Sequence, residues 1–143
     1  QGQLFSNFLA EVNKTIAAAK QVEATKDMAG QLEKLAKRLG EAAMHLGVTA
    51  MGGKIKEAFA HSLPFLHAMG DTIMGWMLLW RAMAAAPKIA GAKKSDVDFY
   101  NGQVKTAEFF LNTVVYQTLG SLDSVMATCP AAIEITDDGF GGL

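Results

Sequence analysis

A regular spacing of apolar residues between residues 28 and 46 limits most strongly how this chain can fold. These residues alternate steps of four and three, the period that lines one face of an α-helix. Charged residues fall on the opposite face, so the helix needs partners for its apolar side. The predicted helix starts after Thr25, a residue type favoured at N-caps, and Gly52-Gly53 ends it. The apolar set is Met28, Leu32, Leu35, Leu39, Ala42 and Leu46.

The two ends of the chain predict further amphipathic helices. Apolar residues between positions 5 and 19 repeat at spacings of three and four, which predicts a first helix ending near Glu23. Near the other end, Ser95 and Asp98 have the spacing of a capping box, so a last helix is predicted to begin at Ser95 and to extend to Met126.

The segment from Ser62 to about Ala86 predicts the most apolar helix. A proline in the third position suits a first turn, and Pro87 stops the helix. Apolar residues lie on several faces, so we expect burial on more than one side. Asp71 and Arg81 would each cost about 2.5 to 3.5 kcal/mol at a bilayer centre, which argues against a membrane span. Its main stripe is predicted to be Leu66, Met69, Ile73, Trp76, Trp80 and Met83.

These four segments predict an all-α fold, an up-and-down antiparallel four-helix bundle. Residues 1–128 form the bundle domain in this interpretation, and residues 129–143 form an irregular C-terminal tail. No segment has the alternating pattern of a β-strand.

Charge and cysteine content narrow the function classes. Lys and Arg total 13 against 14 Asp and Glu, so no positive excess is available to bind nucleic-acid phosphates, and we expect no nucleic-acid partner. The single cysteine, Cys129, forms no internal disulfide, and the chain shows no signal-like start; both features favour a cytoplasmic location.

No complete catalytic or metal-binding pattern is evident. Glu41 and His45 are four residues apart, and a di-iron bundle needs two Glu-x-x-His pairs. Residues 47–54 are glycine-rich, but Ile55 follows the lysine where a phosphate-binding loop needs Ser or Thr. Cys129 has no histidine nearby in sequence and is interpreted as an ordinary thiol. The sequence therefore predicts no catalytic, cofactor-binding or metal-ligating residue in this chain.

Two segments carry a more specific signal. One is a glycine-tryptophan pair in the middle of the apolar helix, and the other opens and continues the last helix. This pattern resembles the extra C-terminal helical domain of a subset of FAD-dependent acyl-CoA dehydrogenases, over residues 5–128. Gln103 departs from it, since a lysine is common there. The matching residues are Gly75-Trp76, Phe99-Tyr100, Gly102, Thr106-Ala107 and Phe109-Phe110.

The resemblance implies a parent flavoprotein that binds FAD and oxidises acyl-CoA thioesters at the α and β carbons. The family's base and flavin-binding residues lie in preceding domains, so no catalytic residue is carried over and the fragment alone is expected to be inert. We therefore expect an accessory domain that packs on the catalytic core or supports subunit contacts in a homo-oligomer. The alternative is a free-standing helical module that binds another protein. The residues preceding Gln1 would separate the two.

Overall fold

The computed structural model describes residues 2–141, and within this range every regular element is helical. The prediction of an all-α fold is therefore confirmed. Gln1, Gly142 and Leu143 lie outside the described residues, including the last two positions of the predicted tail. The helices are α1 (Gln3–Ala19), α2 (Lys26–Met51), α3 (Ile55–Ala60), α4 (Ser62–Ala85), α5 (Lys94–Ala127) and α6 (Ala131–Glu134). Short 3-10 helices cover Glu23–Thr25, Ala86–Gly91 and Asp137–Phe140.

Helix α2 has the buried face that its spacing predicts. The outer face of residues 26–41 is charged and exposed, with Lys34 and Lys37 in solvent, whereas Met44, Val48 and Met51 are exposed near the C-terminal end. Leu46, the last residue of the predicted stripe, is half-buried against the core. Burial of this face removes seven apolar side chains from water and supplies much of the core. The buried residues of the stripe include Met28, Leu32, Leu35, Leu39 and Ala42, with Ala29 and Ala36 beside them.

Helix α2 begins directly after Thr25, as predicted, but the expected side-chain cap is wrong, because the Thr25 side chain makes no cap bond. The Thr25 hydroxyl instead donates to the carbonyl oxygen of Ala19, at 2.8 Å, and to that of Val22, at 3.2 Å. Thr25 is completely buried, so its hydroxyl needs a partner, and the last carbonyls of α1 have none within that helix. The side chain therefore joins the end of α1 to the start of α2.

Helix α4 turns a different face to the core from the one predicted. Leu66 and Trp80 are exposed, and Trp76 is only half-buried. Most residues on the buried face are small, which lets the neighbouring helices approach α4 closely. Larger side chains such as that of Trp80 lie on the solvent-exposed side of the helix. The buried residues of α4 are Ala68, Thr72, Gly75, Leu78, Leu79, Ala82 and Ala85.

The capping box predicted at the start of α5 is also wrong. The helix begins at Lys94, so Ser95 lies inside the first turn, and its hydroxyl donates to the Asp96 carboxylate at 3.0 Å. The far end agrees with the prediction, since α5 continues to Ala127. Its buried residues are Ala107, Leu111, Val115, Thr118, Leu122 and Val125.

The central pair of the fold is α2 and α4. Each of them packs against the other and against both α1 and α5, whereas α1 and α5 have at most marginal contact with each other. The most extensive interface joins α4 to α5. The core therefore lies along the α2–α4 pair, with α1 on one side and α5 on the other.

Two histidines hold the chain where α5 ends. Thr128 adopts a left-handed conformation, with φ of 45°, and its hydroxyl donates to the Val125 carbonyl at 3.0 Å. His45 Nε2, from α2, bonds to the same hydroxyl oxygen. His61 Nε2 lies 3.3 Å from the Cys129 carbonyl oxygen. These contacts direct the following residues back towards α3, which α6 contacts.

Candidate functional site

Gly75 lies at the point where three helices meet. A Cβ atom placed on Gly75 would lie 3.2 Å from a methyl carbon of Leu32 on α2 and 3.2 Å from one of Leu111 on α5. It would also lie 3.5 Å from the ring of Phe110. The first two distances are shorter than ordinary van der Waals contact, so the missing side chain allows α2 and α5 to approach α4 this closely.

Trp76 fills the opposite side of the same junction. Its indole Nε1 donates to the Thr15 hydroxyl of α1 at 2.7 Å, and its ring meets Phe8 edge to face at a centroid distance of 6.1 Å. Phe5 extends this aromatic contact to Phe65, at 6.4 Å. Gly75 thus allows close packing of α4 against α2 and α5 because it has no side chain, whereas the large side chain of Trp76 fills the interface between α4 and α1.

Polar contacts tie α4 to α5 along their length. The Thr118 hydroxyl donates to an Asp71 carboxylate oxygen at 2.7 Å, and the Arg81 guanidinium donates to the side-chain oxygen of Gln103. A lysine at position 103, as is common in the family pattern, could not accept this bond from Arg81. The departure at Gln103 therefore has a local physical explanation.

The residues considered for chemistry are not brought together. His45 and His61 bond to Thr128 and Cys129, as described above, and Cys129 itself is exposed. Glu41 pairs with Arg38 at 2.9 Å, and Arg38 also bonds to Asp123. These two hydrogen bonds, that to Glu41 first, raise the pKa of Arg38, which leaves its charge unchanged at neutral pH.

The glycine-rich segment preceding α3 has a structural role. Its first residues continue α2, and Gly53 adopts φ of 88° in the turn that follows. Lys54 pairs with Glu57 at 3.3 Å. Across residues 2–141 no three His, Cys, Asp or Glu side chains cluster in a way that could hold a metal ion. None of the helices in this same range is long and apolar enough to cross a bilayer.

The surface of α4 that points away from the core is apolar. We call it the outer face of α4 and define it as Leu66, Gly70, Ile73, Met77 and Trp80, which follow one another at spacings of four and three. Leu66 is 62% exposed, Ile73 39% and Trp80 54%. Met74 lies beside this stripe and is exposed as well. A continuous apolar stripe of this kind on a folded domain marks a contact surface.

Of the aromatic residues of the family pattern on α5, some pack against the core and others are exposed to solvent. Phe110 packs against the core, whereas the adjacent Phe109 is exposed. Phe99 and Tyr100 meet edge to face at 5.6 Å, and the Lys88 ammonium lies 5.8 Å from the centre of the Tyr100 ring. The pattern therefore contributes packing and surface and brings no reactive group into the interior.

Three known proteins resemble this chain. A butyryl-CoA dehydrogenase from Syntrophomonas wolfei is 26% identical over 142 residues, covering 98% of this chain and 23% of the relative. A second butyryl-CoA dehydrogenase from the same organism is 34% identical over 77 residues, covering 52% of this chain and 13% of the relative. A 3-methylmercaptopropionyl-CoA dehydrogenase from Ruegeria pomeroyi is 34% identical over 92 residues, covering 59% of this chain and 15% of the relative.

The chain thus spans less than a quarter of the length of these relatives. A family model described as acetyl-CoA dehydrogenase C-terminal like matches residues 8–136. That match covers α2 to α6 entirely and most of α1, so it includes both the Gly75-Trp76 junction and the outer face of α4. The chain therefore belongs to the family of acetyl-CoA dehydrogenase C-terminal-like domains.

Proposed function

We propose that this chain is the accessory C-terminal domain of an FAD-dependent acyl-CoA dehydrogenase and packs on the catalytic core of that enzyme. The parent would oxidise acyl-CoA thioesters at the α and β carbons, and this domain would contribute no catalytic residue. One observation carries the proposal: the bundle closes its interior with its own side chains and still presents a continuous apolar stripe outside. A domain whose family belongs to larger enzymes has an evident use for such a stripe.

The interior of the domain does not fit a flavin. The space beside Gly75 is filled by Leu32, Leu111 and Phe110. Among the described residues, every buried side-chain nitrogen and oxygen already has a hydrogen-bond partner. We therefore assign FAD and the acyl-CoA substrate to the preceding domains and derive no chemical step from this chain.

We propose further that the four long helices alternate in direction, as in an up-and-down bundle. Between α4 and α5 the residue numbers of contacting pairs change in opposite directions, which indicates antiparallel helices: Arg81 contacts Gln103, and Asp71 contacts Thr118. Between α2 and α5 they rise together, as three pairs show. These pairs are Gln31 with Tyr116, Arg38 with Asp123, and His45 with Thr128. In an alternating bundle the second and fourth helices run in the same direction, which is what this register supports.

The remaining proposals concern the whole protein. We propose that residues 1–128 are the domain proper and that residues 129–143 are a tail held by the two histidine contacts. The parent enzyme is proposed to be a cytoplasmic homo-oligomer, in which this domain supports the subunit contacts. Lys and Arg total 13 against 14 Asp and Glu, and ion pairs of opposite sign lie on α1, α2 and α5. The lack of a positive excess favours a protein partner over nucleic acid.

The test compares the complete gene product that contains this chain with the 143-residue chain. We expect the complete product to purify yellow and to oxidise a short-chain acyl-CoA with an artificial electron acceptor. We expect the 143-residue chain to be colourless and inactive in the same assay. A flavin spectrum in the short chain contradicts the proposal, as does a complete product without flavin or turnover. A gene that encodes this chain alone would favour the free-standing module.

A further inference from the structure

We infer that the outer face of α4, with Gly70 at its centre and Trp80 at one end, is the surface on which the dehydrogenase portion of the same polypeptide docks. This inference rests on the proposed function and specifies the surface and its occupant. Two observations in the structure carry it, namely the composition of the outer face and the open space around Gly70 at its centre.

The first observation is that the outer face of α4 has no internal partner. From Leu66 to Trp80 it extends about 21 Å, at 1.5 Å per residue. His67 is the only exposed residue with an ionisable side chain between these two ends. Asp71 turns away to bond with Thr118, and Arg81 bonds to Gln103 at the edge. An aromatic anchor on a charge-free stripe with a polar edge is the composition of the centre of a protein interface.

The second observation is that Gly70 has no role inside the domain. A Cβ atom placed on Gly70 would meet nothing within 4 Å, whereas one on Gly75 would press on two leucines. A glycine within a helix costs about 1 kcal/mol relative to alanine, so its presence needs a reason. On the exposed stripe, the reason is that another backbone or a large side chain approaches α4 closely at this position. Gly47, Gly102 and Gly120 are equally open helical glycines, so the assignment of Gly70 to the contact rests on its position at the centre of the apolar outer face.

The length of the relatives identifies the occupant. The match to the first butyryl-CoA dehydrogenase covers 98% of this chain but only 23% of that relative. In the relative, the remaining residues of the polypeptide are therefore covalently attached to the matching domain. A short covalent link gives two surfaces an effective concentration in the millimolar range, which favours the attached neighbour over a separate molecule. Residues 26–41 of α2 and the exposed side of α5 fit such a contact less well, because charged residues such as Lys37 and Lys105 interrupt them.

The experiment uses hydroxyl-radical footprinting with mass spectrometry. Labelling of Trp80 and Met74 is measured in the complete enzyme and in the 143-residue chain. We expect several-fold lower labelling in the complete enzyme, independent of its concentration. Gly70→Leu should restore labelling of Trp80 in the complete enzyme, because the added side chain blocks the close approach. The thermal midpoint of the 143-residue chain should not fall with this substitution, because the space around Gly70 is open.

Gly47→Leu is the matched control. Gly47 lies on α2, is exposed, and also has nothing within 4 Å of an added Cβ atom. This variant should leave Trp80 protected. Equal labelling of Trp80 in both proteins, with flavin and turnover intact in the enzyme, overturns the docking surface while the proposed function stands. Protection that appears only as the concentration rises identifies a second copy as the occupant and also overturns the inference. If the unmodified complete protein contains no flavin and shows no turnover, the proposed function itself is wrong.

Discussion

Helices α2 and α4 occupy equivalent central positions, since each contacts all the other long helices, yet they are built on opposite plans. In residues 26–41 of α2 the large apolar residues face inward and charged residues face solvent, whereas Met44, Val48 and Met51 near its C-terminal end are exposed. In α4 the inward face is mostly small, and large residues such as Trp80 stand outside. The difference teaches that residues 26–41 of α2 serve the fold of this domain, whereas α4 packs against its neighbours on one face and keeps an apolar surface on the other along most of its length.

The sharpest test of this contrast is truncation of one leucine on each helix. Leu32 of α2 is fully buried against Gly75, so Leu32→Ala should lower the free energy of unfolding by about 2 to 5 kcal/mol. Leu66→Ala, on the outer face of α4, should lower the free energy of unfolding by no more than about 0.5 kcal/mol. Urea unfolding followed by circular dichroism measures both. Equal losses would mean that the two helices do not differ in this way.

The two tryptophans of α4 provide the next comparison. Trp76 is half-buried and bonded to Thr15, so Trp76→Ala should cost about 2 to 3 kcal/mol, below the usual value for a fully buried tryptophan. Trp80→Ala should change the unfolding free energy of the 143-residue chain very little. The urea midpoints of the two variants check this order. A larger loss at Trp80 would place that residue in the core and remove the basis for an outer face.

The two glycines of α4 separate close packing from open surface. Gly75→Leu forces a side chain into the contacts with Leu32 and Leu111, and we expect a loss of about 1 to 3 kcal/mol. Gly70→Ala should instead stabilise the chain by about 0.5 to 1 kcal/mol, since it improves helix propensity in open space. Thermal unfolding of both variants shows the opposite signs. A destabilised Gly70→Ala would indicate that Gly70 has an internal role.

The smallest expected effect concerns association of the 143-residue chain. With its outer face uncovered, the chain should form weak oligomers that dissociate on dilution, and Trp80→Glu should make it monomeric by placing a charge in the apolar stripe. Sedimentation velocity across a concentration series measures this. The control is Lys37→Glu on the exposed face of α2, which should leave the association unchanged. If the unsubstituted 143-residue chain is monomeric at every concentration, the expectation is contradicted.

How far the sequence predicts this fold depends on the helix. The stripe of α2 was predicted correctly because charged residues occupy the opposite face of residues 26–41, so hydrophobic spacing alone orients it. The same reasoning failed for α4, where apolar residues surround the axis and the size of the side chains decides which face is buried. Thr72 and Gly75 belong to the buried face, and neither contributes to a hydrophobic stripe.

Local capping signals were less informative than the spacing. The side chains of Thr25 and Ser95 have suitable types and positions for caps, yet one bonds back to Ala19 and the other to its neighbour Asp96. For the candidate site, the pair Gly75-Trp76 was recognised from the sequence as part of the family pattern. Its partner Thr15 was missed, because a contact between residues 61 positions apart leaves no local trace. The exposed stripe on α4 became visible only once the buried face was known.

The arrangement of Trp76 and Trp80 also gives the protein two intrinsic optical probes. The Trp76 indole is hydrogen-bonded and partly shielded, while the Trp80 indole, one helical turn further along, is 54% exposed. Their emission should therefore differ in wavelength and in sensitivity to acrylamide quenching. In a Trp80→Phe background, the remaining emission reports on the integrity of the helix junction. In a Trp76→Phe background, it reports on whatever covers the outside of α4, so unfolding and undocking can be followed separately in one molecule without an added label.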